Sequence, residues 1–153
     1  ILRIIGDNVT EYVLKNHQGA ILIADEKNSL QSKNELSIGL LNDCKEPVNL
    51  KFASELIEYA KTPLTSYHIT DSKDTTILKE NNLKTINYVF EKSDNSIKTL
   101  SKYLSKNDIN LLCVDRAIKG KAKKKFSANN FKELINELPV NLLISSNKNF
   151  NLN

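Results

Sequence analysis

The sequence predicts an α/β fold: a doubly wound, mainly parallel five-stranded sheet of Rossmann-like or flavodoxin-like type, preceded by an extra helix–strand unit. Two observations carry this expectation. From Leu36 onward, short apolar runs alternate with amphipathic segments in the order β-α-β-(α)-β-α-β-α-β, the pattern of parallel strands with helices on both faces. The run INLLCVD (109–115) is almost continuously apolar, as suits a central strand buried on both sides. Because crossovers between parallel strands are right-handed, the chain then winds to both sides of its first strand.

Each element has its own signal. Residues 7–18 (DNVTEYVLKNHQ) read as a helix: Asp7 or Asn8 caps it, Glu11 lies in its first turn, and Val9, Tyr12, Val13 and the aliphatic part of His17 form one stripe. Gly19 stops it, and AILIA (20–24) follows as a short buried strand, with no strand before the helix. The polar, aperiodic stretch 25–35 reads as a linker, and its eleven residues can span roughly 35 Å when extended. LSIGLL (36–41) is the next strand, NDCKEP its turn, and Pro47 suits a first helical turn.

In VNLKFASELIEYAK, apolar residues at 48, 52, 53, 56, 57 and 60 mark one helical face. Pro63 ends that helix and LTSYHIT (64–70) is a strand. A short helix over 72–82, a strand at 85–90 and a helix from about Ser96 to Ser105, with Ile97, Leu100 and Leu104 inward, lead to the strand at 109–115. A lysine-rich loop follows. ANNFKELINEL is then a helix with Phe131, Leu134, Ile135 and Leu138 on one face; Pro139 breaks it before the last strand, VNLLIS (140–145).

Composition narrows the function classes. Hydrophobic residues at 40% and charged residues at 26% suit a globular core, and no apolar run approaches the roughly 18 residues of a membrane span. No secretory signal is visible in ILRIIGDN, and with no Met in the chain we expect a fragment or a processed protein. Cys44 and Cys113 are too few for a disulfide framework and lack metal-ligand spacing, which fits a reducing cytoplasm. The net charge of +4 is local, since the segment KGKAKKK holds five lysines. That segment is a solvated loop on the ordinary reading. The alternatives are polyphosphate or nucleotide binding through charge, and nucleic-acid binding, which the scarcity of nearby aromatics argues against.

The units GDNVTEYVLKNHQGAILIA and FSANNFKELINELPVNLLIS share one plan of polar cap, amphipathic helix, breaker and apolar strand. The first resembles the C-terminal end of universal stress protein domains. LSIGLLNDC resembles that family's first strand and Asp turn, and INLLCVDRAIKG its fourth strand. The resemblance implies a tandem protein: 1–24 as the end of one repeat, 25–35 as linker, 36–146 as a divergent second repeat, and 147–153 as a tail.

It also implies a nucleotide site. Family members that bind ATP carry Gly-x-x-Gly, nine residues, then Gly-Ser or Gly-Thr after the fourth strand, so that backbone NH groups cradle the phosphates. Here one register sets Val114, Ala117 and Ser127 at the glycine positions, with Ala128 next; another sets Ala117, Gly120 and Asn130 there. The loop therefore reads as eroded. What remains of the site is Asp43, in place of the family's nucleoside-contacting Asp, with Val114, Ala117, Gly120, Lys121, Ser127 and Ala128. Asp43 serves equally as a turn or cap residue, and His68, on a strand, reads as structural.

No Ser/His/Asp triad, zinc cluster or paired-carboxylate motif is legible, so the sequence points away from catalysis and assigns no metal and no required cofactor, ATP being the open possibility. Three functions follow: assembly or regulation in stress response by a domain with an eroded site, an ATP-binding sensor, or a weak nucleotide hydrolase. Family dimers join through their final strands. The strand from Ala20 to Ala24 and that from Val140 to Ser145 are therefore expected as antiparallel neighbours, with a homodimer through the same surfaces as the rival arrangement.

Overall fold

A computed structural model of the chain describes residues 2–4, 12–13, 16–24, 36–42, 54–58, 60, 63–70, 84–91, 93, 96–114, 138 and 140–145. Seven strands form one sheet: β1 (Leu2–Ile4), β2 (Ile21–Ile23), β3 (Ile38–Asn42), β4 (Leu64–Thr70), β5 (Thr85–Glu91), β6 (Leu111–Val114) and β7 (Asn141–Ile144). Helix α1 (Ser54–Ile57) lies between β3 and β4, and α2 (Ser96–Lys106) between β5 and β6. The spatial order is β1-β2-β7-β6-β3-β4-β5. The five strands from β7 to β5 run parallel to one another, which is the doubly wound arrangement the alternating sequence predicts.

Both faces of the central strands are covered. On one face Leu41, Tyr67, Leu112, Val114, Leu142 and Ile144 pack with Leu100 and Leu104 of α2. On the other, Ile38, Leu40, Leu64, Leu111, Cys113 and Leu143 pack with Leu56, Ile57 and Ala60. All four residues of β6 are completely buried, which is why this run is apolar without alternation. Gly39 has a packing reason. A Cβ there would lie 3.2 Å from each of Ile109 Cγ2, Leu112 Cδ1 and Tyr67 Cε2.

Local chemistry fixes the ends of α2. The Ser93 N–H donates to Ser96 Oγ at 2.8 Å, one half of a capping box. At the other end the Ile109 N–H reaches Leu104 O at 3.0 Å and the Asp108 N–H reaches Ser105 O at 3.2 Å. Asp108 takes the left-handed conformation, φ 54°, so the helix closes in a Schellman motif with Asp where glycine is usual.

Two expectations need correction. The first helix–strand unit does have a preceding strand, because β1 runs parallel to β2 with Arg3 beside Leu22. A three-residue strand ahead of a polar cap is too short for its pattern to register. In the helix that follows, Val13 packs against the core but Tyr12 is 69% exposed; Tyr12 and Asn16 share the solvent side of that turn, where Asn16 Nδ2 donates to Tyr12 O at 2.7 Å. His17, on the same expected stripe, is partly buried, and its Nε2 lies close over Gly19. The expected helices at 72–82 and 128–138 and the linker 25–35 fall outside the described residues, apart from Leu138, which is buried.

Strand β2 lies antiparallel to β7, with Leu22 opposite Leu143, the neighbour relation expected for 20–24 and 140–145. The pairing pattern is two-fold symmetric about that pair. Arg3 flanks Leu22 as Cys113 flanks Leu143, and Ile4 flanks Ile23 as Val114 flanks Ile144.

Candidate functional site

In an open parallel sheet, ligands sit beyond the carboxyl ends of the strands, where the winding reverses. That point lies between β3 and β6: from β3 the chain proceeds outward through β4 to β5, then returns to β6 on the other side of β3. The register sets Leu41 beside Val114. The carboxyl ends of β3 and β6 are therefore adjacent at one edge of the sheet.

Of the expected site residues, Val114 is described: its side chain is fully buried in the α2-side core. Asp43, Ala117, Gly120, Lys121, Ser127 and Ala128 lie outside the described residues.

One polar cluster near the same end of the sheet was not legible in the sequence. His68 is buried, with Nε2 3.1 Å from Ser66 Oγ and 3.0 Å from Asn87 Oδ1. Ser66 and His68 are two apart on β4 and so share a face, while Asn87 comes from β5, where it pairs with Ser66. The i, i+2 spacing of Ser66 and His68 was the available signal; the contribution of Asn87 depends on strand order.

The cluster is unsuited to nucleophilic catalysis. Asn87 Nδ2 donates to Thr85 O and Thr85 Oγ1 donates to Asn87 Oδ1, which fixes that oxygen as the group facing His68. Nε2 thus lies between a hydroxyl and an amide oxygen. Nδ1 is buried and unpartnered, so the ring lacks the orienting acid a triad requires. An unsatisfied buried polar atom costs about 1–3 kcal/mol.

Other chemistry-bearing groups are structural. Burial pushes the Cys113 thiol up to about 12, keeping it protonated and inert. Tyr67 Oη accepts from Asn107 Nδ2 at 2.9 Å, and its ring stacks with Tyr88 and Phe90. Burial raises the Tyr67 phenol's pKa, against the lowering effect of the Asn107 hydrogen bond. Among the described residues no group of three or more His, Cys, Asp or Glu side chains could hold a metal ion, and no helix is long and apolar enough to cross a membrane.

No family model matches the chain, and no curated protein matches it. Among solved structures, the chain is similar to a universal stress protein from Archaeoglobus fulgidus DSM 4304, with a TM-score of 0.61 and 11% identity. The match covers 91% of this chain and 54% of that one, so the chain spans about half the length of the protein it resembles. At that identity the likeness is one of fold: the chain has a universal-stress-protein-like α/β fold.

Proposed function

We propose that this chain is a universal-stress-type domain with an eroded nucleotide loop, acting in stress response through assembly or regulation rather than catalysis. The observation that carries the reading is the sheet itself: β1–β2 and β6–β7 meet antiparallel about the Leu22–Leu143 pair as two halves of one symmetric pattern. In that reading residues 1–24 end one repeat, residues 36–146 form a second, and final-strand pairing joins them, whether within one chain or, as the rival, between two copies. In the sequence, Val114, Ala117 and Ser127 stand where the family carries glycines, and only glycine lets the backbone approach a phosphate without a side chain. A cytoplasmic setting accords with the free, buried Cys113.

A second reading, an ATP sensor using Asp43 and the lysine-rich loop, draws on the adjacency of the β3 and β6 ends. The third, a weak nucleotide hydrolase, has no catalytic group in support among the described residues. A thermal-shift screen with ATP, ADP, AMP and cyclic nucleotides, with and without magnesium, separates them, because a ligand of the native state raises its stability by mass action. Little or no shift at millimolar ATP is expected. A robust magnesium-dependent shift with low-micromolar affinity transfers the case to the sensor.

A further inference from the structure

Helix α2 presents a row of lysines to solvent. Leu100 and Leu104 are buried against the sheet, while Lys98, Lys102 and Lys106 are exposed. At i, i+4 and i+8 the three stand one above the other on one side of the helix, about 6 Å apart along its axis. The helix itself, SIKTLSKYLSK, holds no acidic residue. Like charges at this spacing destabilise a helix, so folding supplies no reason for the row. Aromatic rings border it. Tyr103 precedes Lys106 by three positions and so neighbours it on the helix surface. The Tyr103 ring lies 5.2 Å, centroid to centroid, from that of Tyr88 and from that of Phe90, both on β5. All three aromatic residues are partly exposed.

We propose that this face of α2, with the adjoining rings, binds single-stranded nucleic acid. The lysines meet successive phosphates in a line, and a base stacks on the exposed part of the Tyr103 ring. Charge complementarity calls for a polyanion, and a linear row suits a strand whose charges follow one another along a backbone. The rings select among polyanions. Base–aromatic stacking accompanies backbone-tracking charge in single-strand sites and accepts any base, whereas an acidic protein leaves the rings without a role. A mononucleotide is too short to reach all three lysines. The surface is therefore separate from the strand ends at the β3–β6 switch point, and it is independent of the β2–β7 pair.

The test is fluorescence anisotropy with labelled oligo-dT and oligo-U across a salt series. It uses the full chain as wild type, as the triple variant Lys98→Gln, Lys102→Gln, Lys106→Gln, and as Tyr103→Leu. The wild type should bind both strands, more weakly as salt rises. Each lysine–phosphate contact on a single strand contributes a salt slope of about 0.7, or roughly fivefold in affinity at 0.1 M salt. The triple variant should therefore bind about 100-fold more weakly at that salt, with a slope shallower by about 2. Tyr103→Leu should weaken binding about tenfold and leave the slope unchanged. Far-UV circular dichroism checks that each variant is folded. If Tyr103→Leu is not, the triple variant decides, since its side chains are exposed. A wild type without affinity for either strand overturns the proposal, as does binding that the triple variant retains with its slope intact. Displacement by poly-glutamate as readily as by an unlabelled strand also overturns it, and assigns the face to an acidic protein partner.

Discussion

Replacing Asn110 by Ala removes the side chain that ties the starts of β3 and β6 together. Asn110 is buried, its Oδ1 accepts the Ser37 N–H at 3.0 Å, and its own N–H donates to Ser37 O at 3.0 Å. Its carbonyl also receives Asn141 Nδ2 at 2.8 Å, so the residue serves three strands at their amino ends. The backbone bonds survive the substitution, but the Ser37 N–H loses its acceptor in a part-buried position, at a cost of about 1–3 kcal/mol. For a chain of this size each kcal/mol moves Tm by about 2–4 °C, so the decrease should be roughly 2–12 °C. Urea unfolding of the wild type, Asn110→Ala, Ser37→Pro and the double variant forms the assay. Proline has no N–H to orphan, so the two substitutions should couple by about 1 kcal/mol. A loss below about 0.5 kcal/mol for Asn110→Ala, or strict additivity, refutes the reasoning, because only an unmet donor predicts both effects.

Other outcomes follow from single contacts. Asp108→Gly should stabilise the protein by about 0.5–1 kcal/mol in urea unfolding, since glycine takes the left-handed cap conformation without steric cost; a loss of stability contradicts the capping account. Gly39→Ala should destabilise by about 1–3 kcal/mol, because three neighbours must yield at once and Tyr67 is anchored by its ring stacking and hydroxyl bond. An increase in midpoint shows that the site has room. Stability should fall as pH rises above 9: the unfolded Cys113 thiol ionises from its ordinary 9.0 while the folded one holds its proton to about 12, and Tyr67 shifts in the same direction. An alkaline unfolding series with a flat midpoint between pH 9 and 11 contradicts that linkage. If a phosphate ligand binds, replacing Lys121, Lys123, Lys124 and Lys125 with Gln should abolish binding with little loss of stability; binding that survives shows that these lysines are not its site.

The central strands were legible because burial on both faces writes itself into composition. LTSYHIT coincides with β4 (Leu64–Thr70), and the run at 109–115 contains β6 (Leu111–Val114). Helix α2 was legible through Leu100 and Leu104, which are fully buried. Its final turn was not, since Asp108 carries a conformation that sequence statistics assign to glycine. Strand β1 escaped because three residues carry no period, and only the parallel register with β2 identifies them. The site was legible as a place more than as a set of groups. Alternation of strands and helices fixes the switch point at β3 and β6, but the Ser66–His68–Asn87 cluster depends on which strand lies beside β4. Nothing local in the sequence records that.

Native-state amide hydrogen exchange of the full chain, read at β2 and β7, tests the central claim most directly. If the sheet runs continuously from β1–β2 into β6–β7, the ladder amides of Ile21–Ile23 and of Leu142, Leu143 and Ile144 belong to one cooperative unit. They should be protected to a similar extent and lose protection together as denaturant is raised. Exchange of Ile21–Ile23 at the rate of an unstructured peptide, with Leu142, Leu143 and Ile144 still protected, contradicts the account.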